Sequence, residues 1–358
     1  MKKNIKLFFF NLITVVCFFL FLEGFISTVV VLREVLRTDK QTAERNYTKY
    51  DELLGWISKP NVFVKDLYGK GLYVRTNSQG FRSDKDYSLN IPKGKIRILC
   101  CGDSFTFGHG VDNEHAWTKL LSMLDKRVEV INMGQAGYGL DQAYLWYMRD
   151  GKKFEHNIQI FAFTTEDFDR LRDHIRSGYY KPVLRVVDSS IRVINYPVTN
   201  TPNMVRTFKE HLSKFSQFRI YSFYERLSGF LSNSLNKRGS ASSSSFNDET
   251  KSIAIKVFTD LQKINNLKGS KLVLVYLPSD EDYFDYQPDT NLWRKWVAEN
   301  TAKKNILYFD LYNEFLKLPV SEVKSLFLLR DVHYSNQGNK FIAQVLYSRL
   351  FPLFKNAN

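Results

Sequence analysis

The sequence predicts an α/β protein with a mainly parallel, five-stranded sheet covered by helices on both faces. Short apolar runs rich in Val, Ile and Phe alternate with segments of helical periodicity, the order typical of a parallel sheet. The runs are continuous rather than alternating in polarity, as expected of strands buried on both faces. The predicted strands are 96–101, 128–132, 158–164, 271–277 and 306–310, and the predicted helices are 115–125, 140–150, 251–267, 289–303 and 336–350.

The composition is that of a globular protein with a basic surface. The chain has 358 residues, 44% of them hydrophobic and 25% charged, which excludes collagen-like and wholly disordered proteins. The net charge of +14 suits an acidic glycan or an anionic membrane. This charge is spread along the chain without a nucleic-acid-binding motif, so we expect no nucleic-acid partner. Three cysteines without a CxxC pair exclude a disulfide framework and a zinc site of that type.

The N-terminal segment predicts a membrane anchor. Residues 7–32 form an apolar run longer than the roughly 20 residues that cross a bilayer core. A cleaved signal peptide would have a shorter apolar stretch followed by an A-x-A-like site. We therefore expect residues 1–38 to be a short cytoplasmic tip and a single transmembrane helix, with an atypical signal sequence as the alternative. Basic residues flank the run on both sides, so their distribution does not set the orientation.

A polar and aromatic region lies between the predicted anchor and the first strand of the sheet. Residues 39–95 contain scattered turn signals and no alternation of strands and helices. We expect them to form an N-terminal extension that packs on the main domain, residues 96–352.

An insertion, residues 181–250, interrupts the alternation between the third and fourth strands. It begins with a predicted hairpin over 181–197 that turns at Asp188–Ser190. A helix with one apolar, aromatic face and one basic face is predicted over 205–231, and the serine-rich stretch 239–245 follows as a flexible connection. The apolar face of that helix either packs on the main domain or lies on a lipid surface.

A candidate nucleophile follows directly on the first predicted strand, in Gly102-Asp103-Ser104. Ligands of open parallel sheets collect at the carboxyl ends of the strands. There Ser104 can present its hydroxyl, and the backbone N–H groups that follow can bind an anion. The alternative is a strand-ending turn in which Ser104 caps the next helix.

A serine nucleophile needs a base, and His333 fits that role best. It stands in the segment Asp331–His333 before the last predicted helix, where the carboxylate can reach Nδ1 and leave Nε2 for the serine. His109 is the rival, because it follows Ser104 closely and is expected to line the same pocket. Its nearest carboxylate in the sequence is Asp112. The other histidines, expected on the surface, are His115, His156, His174 and His211.

A glycine-rich turn, Asn132–Gly139, follows the second predicted strand. We expect the N–H of Gly134 to approach a substrate oxyanion, because glycine has no side chain in the way. For Gly137 and Gly139, a purely structural role in the crossover to the next helix is equally open. No Gly-Lys-Ser/Thr follows, which excludes a P-loop.

Taken in order, these blocks resemble the SGNH, or GDSL-type, hydrolase family. Ser104 stands in the Gly-Asp-Ser block, Gly134 in the glycine block, and Asp331 with His333 in the Asp-x-His block before the last helix. The resemblance covers residues of about 50–350 and depends on the order of the blocks, because each block alone is a weak signal.

The resemblance implies a three-layer α/β/α fold with flavodoxin-like strand order, hydrolysis of ester or acyl bonds by a serine nucleophile, and no metal or organic cofactor. Asn77–Arg82 also resembles a lead-in of membrane-anchored bacterial members, which favours a catalytic domain outside the cytoplasm of the bacterial inner membrane. The expected substrate is an acyl ester on a glycan or a lipid, for example an acetylated surface polysaccharide, and O-acyl transfer is a close variant. Further pocket candidates are Asp103, His109 and Asp167.

The third block departs from the family. Relatives have Gly-Asn-Asp after the third strand, where this chain has Thr165-Glu166-Asp167. The asparagine amide donates to the oxyanion, and an ionised Glu166 would repel it; losing one such donor costs about 2.7–4 kcal/mol. Three interpretations are open. Thr164, Thr165 or Asn132 supplies the donor, burial protonates Glu166, or the protein is a slow or degenerate hydrolase. The alternative function is a non-catalytic protein that binds carbohydrate or serves in assembly.

Overall fold

The computed structural model describes residues 2–38, 46–176, 179–200, 246–284, 291–329 and 331–354. The helix predicted over 205–231 and the serine-rich stretch 239–245 lie outside these residues. The described residues belong to two units, one that contains the N-terminal helix and one that contains the sheet.

The N-terminal unit contains helix α1, Lys2–Thr38. Its segment Ile5–Val29 is long and apolar enough to cross a membrane, a property that signal sequences share. Large apolar side chains such as Phe8 and Phe21 are exposed along it. The predicted apolar helix is therefore present, and its length and composition fit either a span or a signal sequence.

The second unit consists of short strands and helices around a central sheet. Its strands in chain order are β1 Thr48–Asp51, β2 Gly55–Ser58, β3 Phe63–Val64, β4 Val74–Arg75, β5 Ile96–Gly102, β6 Val128–Gly134, β7 Ile158–Phe163, β8 Ile175–Arg176, β9 Tyr179–Tyr180, β10 Leu184–Val187, β11 Ser190–Val193, β12 Lys271–Tyr276 and β13 Leu307–Asp310. Its helices are α2 Ser104–Phe107, α3 Trp117–Leu124, α4 Leu140–Arg149, α5 Glu166–Asp169, α6 Asp248–Leu267, α7 Asp280–Phe284, α8 Leu292–Lys303, α9 Tyr312–Phe315, α10 Val320–Ser325 and α11 Asn336–Phe354.

The central sheet has five strands in the order β13-β12-β7-β5-β6, and all neighbours are parallel. This order is flavodoxin-like, and each strand ends within two residues of its predicted bounds, so the predicted fold class is confirmed. The direction of winding reverses between β5 and β7. Ligands of open α/β sheets bind at such a switch point, beyond the carboxyl ends of the strands.

Helices cover both faces of the sheet because its strands are apolar on both sides. On β5, Leu99 and Cys101 belong to one buried cluster, and Ile98 and Cys100 belong to the other. Helices α4, α6 and α8 bury side chains in the first cluster, and α3 and α11 in the second. The result is the predicted three-layer arrangement.

The predicted hairpin of the insertion is confirmed. Strands β10 and β11 pair antiparallel, and the two residues between them, Asp188 and Ser189, have positive φ angles of 49° and 58°. Two consecutive positive φ angles are what a tight type I′ hairpin turn requires.

The segment before β5 is bonded to the loops of the sheet. The Trp56 Nε1–H donates to the Ala136 carbonyl at 3.1 Å, and the Gln142 amide donates to the Leu54 carbonyl at 2.7 Å. Trp56 is fully buried among these contacts. The segment therefore helps to build the edge of the sheet at which the glycine-rich turn lies.

Candidate active site

Three predicted residues meet at the switch point of the sheet. The Ser104 Oγ lies 2.7 Å from the His333 Nε2, and the His333 Nδ1 lies 2.5 Å from the Asp331 Oδ1. The same carboxylate oxygen accepts the backbone N–H of His333 at 3.0 Å. Ser104 follows β5 and His333 precedes α11, so the fold joins two distant parts of the chain in one proton relay.

Asp331 has the charge state that the relay needs. Partial burial raises the pKa of Asp331, but the hydrogen bonds from His333 outweigh burial and hold this pKa below its usual value. The carboxylate is thus ionised at neutral pH and fixes the imidazole with Nδ1–H towards Asp331. The ring of Phe105 packs on the imidazole at a centroid distance of 4.8 Å, which restricts its rotation.

The turn that carries Ser104 is short and tightly packed. The Asp103 Oδ1 caps α2 by accepting the N–H of Phe105 at 2.9 Å, and Gly108, with φ of 85°, ends the helix. A Cβ on Gly102 would lie 2.7 Å from the Ala162 carbonyl oxygen, so only glycine lets β5 and β7 approach here. Ser104 is the first residue of α2, where a backbone N–H has no intrahelical acceptor.

His109 lies beside the hydrogen-bonded group of Ser104, His333 and Asp331. Its ring lies 4.4 Å from the His333 ring, centroid to centroid, and its Nδ1 lies 3.3 Å from the Tyr68 hydroxyl. Nitrogen and oxygen atoms of His109, Asp331 and His333 lie within 4.8 Å of one another, a group that could hold a metal ion. A cation there would occupy the imidazole and carboxylate atoms that the relay uses.

The prediction that Gly134 supplies an oxyanion donor is wrong. Its N–H donates to the Asn132 Oδ1 at 2.9 Å, and a Cβ at Gly134 would lie 2.2 Å from the Phe107 nitrogen. Gly134 therefore makes room for α2. The residues of this turn that line the cleft are Ala136 and Gly137. Gly137 has a φ of 82°, and among the described residues its N–H has no hydrogen-bond partner.

Asn132 cannot replace the missing amide donor of the third block. It is buried, and its Nδ2 donates to the Thr106 carbonyl at 3.0 Å and to the Thr118 Oγ1 at 2.8 Å. Of the other two candidates, the Thr165 hydroxyl is 2.7 Å from the Tyr276 hydroxyl. The Thr164 hydroxyl is buried and has no partner within the described part of the chain.

Glu166 is ionised, so the interpretation that burial protonates it is wrong. Burial raises its pKa, but Arg170 and then Arg176 outweigh burial and lower this pKa. The Glu166 Oε2 lies 2.5 Å from the Arg170 Nη2 and 3.6 Å from the Arg176 Nη2. The two guanidinium groups partly neutralise the charge that would repel an oxyanion.

Asp103 and Asp167 lie behind the cleft rather than in its lining. They are 1% and 2% exposed, and both carboxylates bind the Nη1 of Arg170, at 3.1 and 2.6 Å. Burial, and next the neighbouring Asp103, raise the pKa of Asp167 well above its usual value. The prediction that these residues line the pocket is therefore wrong, and they act as supports of the turns around Ser104.

Arg170 and Arg176 are the site residues that sequence reasoning missed. Arg170 donates to Asp103, Asp167, Glu166 and the Tyr138 carbonyl, and thus joins the serine, glycine and third blocks. Arg170 follows Asp167 by three residues and Glu166 by four. This spacing places the three side chains on one face of a helix, so the sequence could have indicated their ion pairs. Arg176 lies in the lining of the same cleft, which has a volume of about 510 Å³.

The fold is similar to those of several solved structures, whereas the sequence has no match among families or curated proteins. No protein-family model and no curated protein matches the sequence. Among solved structures it is similar to a lipolytic protein of the G-D-S-L family from Veillonella parvula (12% identity, TM-score 0.40, covering 70% of this chain and 94% of that one). It is also similar to the lipase/acylhydrolase from Enterococcus faecalis (15%, 0.39, 71% and 95%) and to the psychrotrophic esterase EstA from Pseudoalteromonas sp. (11%, 0.40, 73% and 100%). The sequence identities and TM-scores are too low to transfer an activity from these proteins to this chain.

Proposed function

We propose that the chain is a serine hydrolase of the SGNH, or GDSL, type that cleaves ester bonds. The proposal depends on two distances. The Ser104 Oγ lies 2.7 Å from the His333 Nε2, and the Asp331 Oδ1 lies 2.5 Å from the His333 Nδ1. The first distance lies within the 2.6–3.2 Å expected of a nucleophile and its base, and the second lies just below the range expected of a base and its orienting group.

In the proposed mechanism, Ser104 attacks the acyl carbonyl while the His333 Nε2 accepts the hydroxyl proton. His333 then returns the proton to the leaving alcohol, and Asp331 stabilises the imidazolium between these steps. Water then attacks the acyl carbon with His333 as base, the bond between this carbon and the Ser104 Oγ breaks, and His333 returns the proton to Oγ as the carboxylic acid leaves. If a sugar hydroxyl reaches the acyl-enzyme before water, the same residues transfer the acyl group instead.

Two backbone N–H groups are the proposed oxyanion donors, those of Ser104 and Gly137. Both residues line the cleft, and backbone donors in a fixed turn stabilise developing charge without reorganisation. The third donor of the family has no equivalent at Glu166. We therefore expect a slower hydrolase, by up to the hundred- to thousandfold that one donor is worth.

We further propose that the N-terminal helix anchors the chain as a single pass, with the hydrolase unit outside the cytoplasm. The apolar segment Ile5–Val29 supports a membrane location, and the resemblance to anchored bacterial proteins supports the orientation. Protease treatment of intact spheroplasts tests it: we expect digestion of the hydrolase unit without lysis. Protection until lysis would contradict this orientation.

The test of the proposed activity is hydrolysis of p-nitrophenyl acetate by the full chain in detergent. We expect Ser104→Ala and His333→Ala each to lower kcat by at least about a thousandfold. The matched control is His115→Ala, because the His115 Nδ1 pairs with the Asp112 Oδ1 at 2.7 Å but lies outside the cleft lining. A folded wild type inert on this ester and on acetylated glycans would contradict the proposal and favour a non-catalytic glycan-binding protein.

A further inference from the structure

The cleft around Ser104 has one wall rich in charged and hydroxyl groups. This wall comes from the loops after β7 and β12, neighbouring strands whose carboxyl ends meet at one edge of the sheet. Its side chains that line the cleft include Thr165, Glu166, Arg176, Ser279, Glu281 and Asp282. Hydroxyl, carboxylate and guanidinium groups form hydrogen bonds with a polar ligand. They add no favourable binding free energy for an alkyl chain.

Few apolar side chains line the cleft. Within the described residues it consists of Phe105, Ala136 and Val332. Phe105 is only 5% exposed and packs on the rings of His333 and Tyr334, so little of its ring faces a ligand. A buried CH₂ group gains about 0.8 kcal/mol only in apolar surroundings. Among the described residues, no row of aliphatic side chains extends from the cleft for a long acyl chain, so this part of the protein suits an acyl group of acetyl size.

Arg176 has hydrogen-bonding capacity that the described residues do not use. Its guanidinium lies 3.6 Å from the Glu166 carboxylate and 3.7 Å from the Asp173 carboxylate, beyond hydrogen-bond distance. Its side chain is 31% exposed, and that of Glu166 is 51% exposed. Donor and acceptor groups thus stand side by side in the wall, the arrangement that binds vicinal hydroxyls.

The charge of the lining disfavours an anionic substrate. The carboxylates of Glu166, Asp169 and Glu281 outnumber the guanidinium groups of Arg170 and Arg176. A negative cleft repels anions. A neutral polyhydroxy compound can use both the donors and the acceptors without this cost.

We propose that the substrates are short-chain, acetyl-sized esters of neutral polyhydroxy alcohols, such as O-acetylated oligosaccharides, and that Arg176 is a specificity-determining residue for the alcohol part. This inference rests on the proposed ester hydrolysis. Ser104 and His333 act on the acyl group, and Arg176 with Glu166 binds hydroxyls of the leaving sugar.

The first arm of the test compares p-nitrophenyl acetate with p-nitrophenyl octanoate on the full chain. We expect kcat/KM for the acetate to exceed that for the octanoate by at least fiftyfold. A kcat/KM for the octanoate equal to or above that for the acetate would contradict the proposed substrate class but not the proposed ester hydrolysis. Failure to cleave any ester would instead contradict the serine hydrolase itself.

The second arm measures acetate release from partially O-acetylated xylo-oligosaccharides by Arg176→Gln. We expect KM for the oligosaccharide to rise at least tenfold, with KM for p-nitrophenyl acetate within threefold of wild type. The control is Arg192→Gln, an exposed arginine of the β10–β11 hairpin that does not line the cleft. A fall in kcat common to both substrates is expected as well, because Arg176 also offsets the Glu166 charge near the oxyanion. An equal rise in KM on both substrates, or an unchanged KM on the oligosaccharide, would overturn the role of Arg176 in binding the alcohol part.

Discussion

Two buried arginines hold the turn that carries Ser104, and they bind it in opposite ways. Arg82 is 5% exposed and comes from the segment before the sheet. Among the described residues, no carboxylate lies within ion-pair distance of it. Its hydrogen bonds, 2.5–2.9 Å long, go to the carbonyl oxygens of Phe107, Gly108 and Val111 and to the side-chain oxygen of Asn113.

Arg170, also 5% exposed, lies on the other side of the turn. Its acceptors include three carboxylates, and two of these belong to the buried residues Asp103 and Asp167. Burial lowers the pKa of both arginines. For Arg170 the carboxylates, Asp167 first, outweigh burial and raise the pKa, whereas the pKa of Arg82 remains lowered.

The two arginines therefore stabilise the Ser104 turn in different ways. Arg82 closes the carbonyl end of a very short helix, where oxygens would otherwise be buried without donors. Arg170 supplies the counter-charge of the buried Asp103 carboxylate and donates a hydrogen bond to Asp167, whose raised pKa favours its protonated form. Arg82 therefore donates hydrogen bonds to uncharged oxygens, whereas Arg170 pairs with carboxyl groups. Both arginines hold the turn that carries Ser104.

The largest effect is expected from Arg170→Met. This change leaves the buried Asp103 carboxylate without its counter-charge and removes a hydrogen-bond donor from Asp167, which costs about 3–5 kcal/mol in the free energy of unfolding. Urea unfolding of the purified chain measures it. Arg170→Lys should restore part of the stability, because it returns the charge without the fork of donors. If Arg170→Met lowers the free energy of unfolding by less than about 1 kcal/mol, Arg170 does not stabilise these carboxyl groups.

A smaller effect is expected from Arg82→Met. It leaves carbonyl oxygens of the turn without donors but no uncompensated charge, so we expect a loss of about 1–3 kcal/mol in the free energy of unfolding. Because the freed segment contains the end of α2 and His109, kcat should fall as well. If Arg82→Met costs as much stability as Arg170→Met, the contrast between dipoles and charges is wrong.

The smallest effect is expected from Asp167→Asn, and it depends on pH. The raised pKa of Asp167 means that above about pH 4 the folded chain holds a proton that the unfolded chain has lost. Stability of the wild type should therefore fall as pH rises towards the folded pKa, by up to about 1.4 kcal/mol per pH unit. Asp167→Asn should flatten this slope. Unfolding free energies at several pH values measure it, and an unchanged slope would contradict the assignment.

The sheet and the relay could be predicted from the sequence because their signals are local and ordered. Continuous apolar runs mark buried strands, and residues at the carboxyl ends of parallel strands meet at one edge. Ser104, Asp331 and His333 are each next to such a boundary. Their meeting therefore follows from the strand order, without knowledge of side-chain packing.

The supports of the site could not be predicted in this way. The sequence shows glycines at 134 and 137 but not that the Gly134 N–H is used by Asn132. The charge state of Glu166 depends on two arginines whose side chains converge only in the folded chain. The contact between Arg170 and Asp103 joins two loops that are far apart in the sequence. Such contacts are set by packing and not by periodicity.

The most direct test of the relay is covalent labelling of the full chain by diisopropyl fluorophosphate, followed by mass spectrometry of its peptides. The account predicts one adduct, on Ser104, and labelling at least a hundredfold slower in His333→Ala than in wild type. Labelling of another residue, or an equal rate in His333→Ala, would contradict the claim that His333 activates Ser104.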